Sequence, residues 1–149
     1  EPDENYILPI GKASKVIEAE LKYEKSGESV VIITYGRGVY WSLEASKSFA
    51  GQIEILDLRT LSPLDEDQIL KSVKKHGKSL IVTEEPSSAS FSLGIAGLIQ
   101  ENCFEFLDAP VKIVGSENTP AIPLNENLEF TYLPNASKVQ KAISTLLDY

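Results

Sequence analysis

Short runs of branched apolar residues alternate along this chain with segments whose apolar positions fall at helical spacing. That alternation limits the accessible folds more than any other feature. The run Val30-Val31-Ile32-Ile33-Thr34-Tyr35 is continuous, β-branched and bounded by Gly27 and Gly36, so it predicts a strand buried on both faces. Further runs at 53–58, 79–84 and 111–114 predict three more strands. Helical spacing predicts helices over 39–50, 66–76 and 91–103, with Gly51 and Gly77 as stops, and a last helix from Ala136. In that helix Val139, Ile143, Leu146 and Leu147 share one face, and Asn135 is the expected cap. Residues 13–23 carry Val16, Ile17, Ala19, Leu21 and Tyr23 and read as another strand. Strands alternating with helices require parallel crossovers, hence an α/β three-layer α/β/α sandwich of about five mostly parallel strands. Residues 1–12 read as a linker from a preceding domain and 13–149 as the domain itself, in which the proline-punctuated stretch 119–134 shows no periodicity.

The connection between the second strand and its helix, Asp57-Leu58-Arg59-Thr60-Leu61-Ser62-Pro63-Leu64-Asp65, has a helix entry legible from its letters. Asp65 is the expected N-cap, Gln68 stands three residues on as in a capping box, and Leu64 and Ile69 occupy the positions of a hydrophobic staple.

Charge and composition exclude several function classes. A formal charge of -8 disfavours nucleic acid, because phosphate binding needs a clustered positive field. Lys71, Lys74, Lys75 and Lys78 lie in and just after the last turn of one helix, where cations complement the macrodipole. No apolar run approaches the roughly 20 residues of a membrane helix. One cysteine, Cys103, cannot form an internal disulfide, which suits a reducing compartment. One histidine, His76, cannot by itself supply a two-histidine metal site or a Ser-His-Asp triad. A start at Glu1 and the absence of methionine lead to the expectation that the chain is a segment of a longer polypeptide.

Local motifs do not assemble an active site. Gly36-Arg37-Gly38 stands where a phosphate loop would lie, but Trp41 occupies the third glycine position of a dinucleotide fingerprint, so turn geometry explains the glycines. Glu84 and Glu85 end a parallel strand without a histidine or nucleophile beside them in sequence. The loop Ser87-Ser88-Ala89-Ser90-Phe91-Ser92 precedes a helix, where N-capping accounts for its serines as well as anion binding does. Cys103 reads as a buried structural thiol. No catalytic, cofactor-binding or metal-ligating residue is assigned.

Further segments accompany the 57–65 run in fixed order: Leu107-Asp108-Ala109-Pro110-Val111, Asn118-Thr119-Pro120 with Pro123, and Tyr132-Leu133-Pro134, preceded by Pro9-Ile10-Gly11-Lys12-Ala13 and Thr34-Tyr35-Gly36. Together they closely resemble the C-terminal domain of the β subunit of thiamine-diphosphate-dependent 2-oxoacid dehydrogenases, in the transketolase superfamily. The resemblance implies an assembly domain of a pyruvate or branched-chain dehydrogenase, cytoplasmic in bacteria or in the mitochondrial matrix. Thiamine diphosphate and magnesium would be held by other domains through a Gly-Asp-Gly motif, and this chain has no Gly-Asp dipeptide. A homodimeric full enzyme and an acyltransferase partner are also implied. For docking the acyltransferase's subunit-binding domain, the resemblance carries over two positions, Asp108 and the chain-terminal carboxylate at Tyr149. The sequence departs from the family pattern at Ala89 to Gly94, which lacks the usual glycines and acid, and at Thr83, where a histidine is frequent. The same resemblance extends less fully to transketolase and deoxyxylulose-phosphate synthase, and a free-standing anion-binding module is the alternative from another class.

Overall fold

The computed structural model describes residues 9–149, so most of the expected linker at 1–12 lies outside the described residues. Five strands form one sheet: β1 (Ser14–Ile17), β2 (Val30–Thr34), β3 (Ile53–Asp57), β4 (Ser79–Pro86) and β5 (Lys112–Ser116), in the order β1-β3-β2-β4-β5. The pairs β2 with β3, β2 with β4 and β4 with β5 are parallel, while β1 runs antiparallel along β3. The helices are α1 (Leu21–Ser26), α2 (Gly38–Ser46), α3 (Glu66–His76), α4 (Phe91–Cys103), α5 (Glu126–Tyr132) and α6 (Ala136–Leu147).

The expected three layers are present. On one face of the sheet Val30, Ile32, Ile53, Ile55, Leu80 and Val82 pack against Ala45 of α2 and against Val139, Ile143 and Leu146 of α6. On the other, Val31, Ile33, Leu56 and Ile81 meet Ile69 and Val73 of α3 and Ile95, Ile99 and Cys103 of α4. Alternate residues of the continuous run in β2 therefore feed two separate cores, which is why its sequence shows no polar face.

Three elements differ from expectation, the first being α2, which ends at Ser46 instead of running to a stop at Gly51. The apolar residues at 13–23 belong to β1 and then to α1, because the strand ends at Ile17 and Leu21 starts a helix. Gly27, at φ 74, closes α1 by donating its N–H to the carbonyl of Tyr23, a left-handed helix stop rather than a strand boundary. In the segment without periodicity, α5 is capped by Asn125, whose side chain accepts from the amides of Asn127 and Leu128. Its Leu128 and Phe130 remain exposed, so no buried stripe marked it in the sequence.

Asp65 caps α3 as expected, accepting from Gln68 N at 3.3 Å. The reciprocal half of the capping box does not form, since the Gln68 side chain donates to Ser72 Oγ at 3.1 Å. The second carboxylate oxygen of Asp65 instead accepts from Ala13 N at 2.9 Å, and Gly11 N donates to Thr60 Oγ1 at 3.0 Å. The 57–65 connection thus seats the entering chain as well as starting a helix.

Candidate functional site

A sheet with β2 between β3 and β4 places its topological switch at the carboxyl ends of β2 and β4, where open α/β sheets collect ligands. In this chain that crevice is filled by its own side chains. The Tyr35 hydroxyl donates to Glu85 Oε1, and Thr83 Oγ1 donates to the Tyr35 hydroxyl at 2.9 Å. Burial, then the bond to Glu85, pushes the Tyr35 phenol up to about 12, so it remains a proton donor at neutral pH. The other oxygen of Glu85 accepts from Phe91 N at 3.1 Å, so a carboxylate already serves the first turn of α4. That corrects the capping expected of the serines: Ser90 makes no side-chain cap bond, and its hydroxyl meets Ser92 Oγ at 2.5 Å. The Gly36-Arg37-Gly38 turn is closed as well. A Cβ on Gly38 would lie 2.3 Å from Thr34 Oγ1 and 2.9 Å from the carbonyl of Val82, so glycine is required there to bring α2 onto the sheet.

A second polar cluster lies where α1 and α3 meet β1 and β3, unannounced by any local sequence pattern. Glu54 is fully buried in β3. It meets Lys15 Nζ at 3.3 Å, Lys75 Nζ at 3.4 Å and His76 Nε2 at 3.3 Å, and it accepts from Ser72 Oγ. Nδ1 of His76 is 2.8 Å from Ser29 Oγ. Burial alone would raise the Glu54 pKa, but the adjacent His76 imidazole, the hydrogen bond from Ser72 and the charge of Lys15 outweigh it and hold the carboxyl at about 2.

Ser29, His76 and Glu54 thus form the chain of contacts seen in a nucleophilic triad. All three are buried, however, so no substrate carbonyl reaches the serine. Glu24, Glu54 and His76 also present donor atoms within 4.8 Å of one another. The Lys75 ammonium, 2.6 Å from Glu24, already fills the cation position. Lys75 therefore neutralises buried acids rather than simply complementing the dipole of α3, while Lys74 lies over the Phe106 ring at 5.1 Å. Cys103 is buried, and burial pushes its thiol pKa up, which makes it a poor nucleophile.

Asp108 and Tyr149 come together. With Gln100, Phe104, Ala109 and Pro110 they line a concavity of about 430 Å³ beyond the ends of α4 and α6. The end of α3 positions Asp108: its amide donates to the carbonyl of Gly77 at 2.8 Å, and its Oδ2 would lie 2.1 Å from a Cβ placed on Gly77, which has φ 68. Asp108 is thereby fixed at the C-terminal end of α3. Phe104, 71% exposed, supplies an apolar wall. The concavity thus pairs an anionic group with an aromatic one, an arrangement suited to a basic, partly apolar partner surface.

A second groove, of about 350 Å³, lies at the other end of α6. Arg37 and Trp41 of the α2 entry, Glu126, Glu129 and Phe130 of α5, and Leu133 to Asn135 line it.

Comparison with known proteins yields a match to the transketolase C-terminal domain over residues 19–139. The chain is 33% identical over 151 aligned residues to the 2-oxoisovalerate dehydrogenase subunit beta of Bacillus subtilis, covering 99% of this chain and 44% of that protein. It is 34% identical to the acetoin:2,6-dichlorophenolindophenol oxidoreductase subunit beta of the same organism, covering 98% of this chain and 41% of that protein. Against the pyruvate dehydrogenase E1 component subunit beta of Rhizobium meliloti it is 30% identical, covering 96% and 30% respectively. Among solved structures, a split gene transketolase described as an inactive beta4 tetramer superposes with a TM-score of 0.78 at 19% identity, covering 98% of this chain and 45% of that one. The chain spans less than half the length of each of these relatives.

Proposed function

The chain belongs to the transketolase C-terminal domain family, and from that premise we propose that it is the assembly domain of the decarboxylating component of a 2-oxoacid dehydrogenase, of pyruvate or branched-chain type. The observation that carries this reading is the similarity, along nearly the whole chain, to β subunits named as 2-oxoisovalerate and pyruvate dehydrogenases. Thiamine diphosphate and magnesium, in this reading, are bound by other domains of the longer protein. The residues here do not fit that group. The switch-point crevice is occupied by Tyr35, Thr83 and Glu85, and a lysine sits among the clustered donors of Glu24, Glu54 and His76. In this reading substrate choice also belongs to those other domains.

The domain's own contribution is to hold neighbours. Asp108 and Tyr149, sharing one concavity, receive the basic surface of the acyltransferase's subunit-binding domain, with Asp108 accepting charge-assisted hydrogen bonds. Support comes from the placement of Asp108 beside Tyr149 in that concavity, with its backbone tied to the end of α3 through Gly77. A cytoplasmic setting in bacteria and dimerisation through the full enzyme complete the proposal.

The test is an assay of the longer protein that carries this domain, combined with its partner subunit, thiamine diphosphate and magnesium. Release of carbon dioxide is expected from pyruvate or 2-oxoisovalerate. Turnover of neither, in a preparation that binds the cofactor, would sink the dehydrogenase reading.

A further inference from the structure

The cluster of Glu24, Glu54 and His76 has a feature that neither docking nor thiamine chemistry uses. Nε2 of His76 is buried and lies 3.3 Å from Oε2 of Glu54, yet it makes no hydrogen bond among the described residues. Its bonding axis therefore passes beside that oxygen instead of through it. A proton on Nε2 would be a buried donor without an acceptor, which is costly. A proton on Nδ1 is received by Ser29 Oγ at 2.8 Å, so the neutral ring leaves Nε2 with a bare lone pair. A bare lone pair beside a buried carboxylate is repulsive unless a cation stands close to both.

The spacing is that of ligands around one ion. Donor atoms of the three residues, from α1, β3 and α3, lie within 4.8 Å of one another. Tetrahedral zinc holds nitrogen and oxygen ligands at roughly 2.0–2.2 Å, hence about 3.3–3.6 Å from each other, and His76 Nε2 and Glu54 Oε2 stand 3.3 Å apart. Ser29 on Nδ1 is the kind of partner that orients a ligating imidazole. An imidazole with two carboxylates favours zinc over magnesium, which keeps to oxygen.

The Lys75 ammonium, 2.6 Å from Glu24 and 3.4 Å from Glu54, marks where a cation rests. The side chains of Glu54 and His76 are fully buried and that of Glu24 is 10% exposed, whereas Lys75, 34% exposed on a flexible stem, can turn out to solvent. Lys15 also reaches Glu54 Oε2, at 3.3 Å, but it has Glu18 at 3.4 Å as a second acid partner.

We propose that Glu24, Glu54 and His76 form a site for a divalent cation of the zinc type, in which Lys75 is the displaceable occupant. Oε1 of Glu24, Oε2 of Glu54 and Nε2 of His76 bind the metal, and a water takes the fourth position. The Lys75 ammonium leaves to solvent, and Glu54 Oε1 keeps the Ser72 hydroxyl. Bound metal clamps α1, which has no fully buried residue, to the sheet and to α3.

Cobalt(II) titration of the purified, untagged longer protein, saturated with magnesium, tests this, because tetrahedral cobalt absorbs visible light far more strongly than octahedral cobalt. One equivalent of the tetrahedral spectrum is expected, and zinc should displace it. Lys75→Met removes the competing ammonium and should tighten binding about tenfold or more. Lys71→Met, at an exposed position of the same helix, should leave the affinity unchanged. Ser29→Ala should weaken binding about 10- to 100-fold, as loss of a partner behind a ligand does. Glu24→Gln and His76→Gln should each abolish the spectrum, and Glu24→Gln, on the outer helix α1, decides alone if His76→Gln does not fold. Absence of the spectrum from both the parent and Lys75→Met would overturn the proposal. So would an affinity that Lys75→Met leaves unchanged, or a spectrum that survives Glu24→Gln. None of these readouts uses decarboxylation or docking at Asp108, so either idea can fail alone.

Discussion

Nε2 of His76, the last residue of α3, lies 3.3 Å from Oε2 of Glu54 in β3, and both side chains are fully buried. With Ser29 on the other imidazole nitrogen and Lys15 and Lys75 on the carboxylate, this pair ties β1, β3 and α3 into one charged knot. The carboxyl titrates at about 2 in the folded chain against an ordinary 4.5. The folded pKa is the lower, so the stabilisation is fully present above the unfolded value and is lost as pH falls from about 4.5 toward 2. The linkage amounts to on the order of 3 kcal/mol. Urea denaturation between pH 2 and 7 should therefore show a steep acid limb that Glu54→Gln flattens while also lowering stability at neutral pH. An unchanged acid limb in Glu54→Gln would show that other carboxylates govern acid unfolding.

Asp65 has two separable jobs. One oxygen caps α3 through Gln68 N, and the other holds the entering chain through Ala13 N. Asp65→Ala removes both and should cost about 1–2 kcal/mol, in the range of a lost N-cap. Hydrogen exchange separates the two effects: the amides of Gln68 and Ala13 should both lose protection. Retained protection at Ala13 would mean that Thr60, through Gly11, suffices to seat the arm.

The sequence made some of this legible and hid the rest for physical reasons. Strand β2 and helix α3 were readable because continuous branched residues and a capped amphipathic pattern each have one cheap conformation, and α3 spans the expected residues. Helix α5 was not, since its apolar residues face outward and leave no periodic buried stripe. The 13–23 segment misled because Leu21 and Tyr23 continue the apolar character of β1 after the backbone has turned into α1. At the candidate sites, Asp108 and Tyr149 were visible only through resemblance, and their shared concavity needed the fold. Glu54 sits second in an apolar strand and His76 ends a lysine-rich helix, so nothing in either local pattern announces their contact.

Gly38 fixes how closely α2 approaches the sheet. A methyl group there would overlap Thr34 Oγ1 and press on the carbonyl of Val82, which belongs to β4 and cannot swing away. Gly38→Ala should destabilise by about 1–3 kcal/mol, as overpacking does, despite the better helix propensity of alanine. Thermal denaturation checks it. A stability equal to or above that of the parent chain would show that α2 can lift off the sheet without cost.

The docking proposal makes the sharpest demand on Asp108. If its carboxylate accepts charged hydrogen bonds from the acyltransferase's subunit-binding domain, Asp108→Ala should weaken that complex by on the order of 1.5–3 kcal/mol. In calorimetry this is a loss of roughly 10- to 150-fold in affinity. Gly77→Ala probes the same contact indirectly. The new Cβ would collide with Asp108 Oδ2 and must displace the carboxylate, so affinity should fall although no residue of the concavity has been replaced. Because the interaction is ionic and partly exposed, raising the salt from 50 to 300 mM should weaken the parent complex more than the Asp108→Ala complex. Identical affinities for the parent and Asp108→Ala, at both salt concentrations, would remove Asp108 from the docking surface. The chain-terminal carboxylate of Tyr149 and the exposed Phe104 would then remain as groups able to carry binding in that concavity.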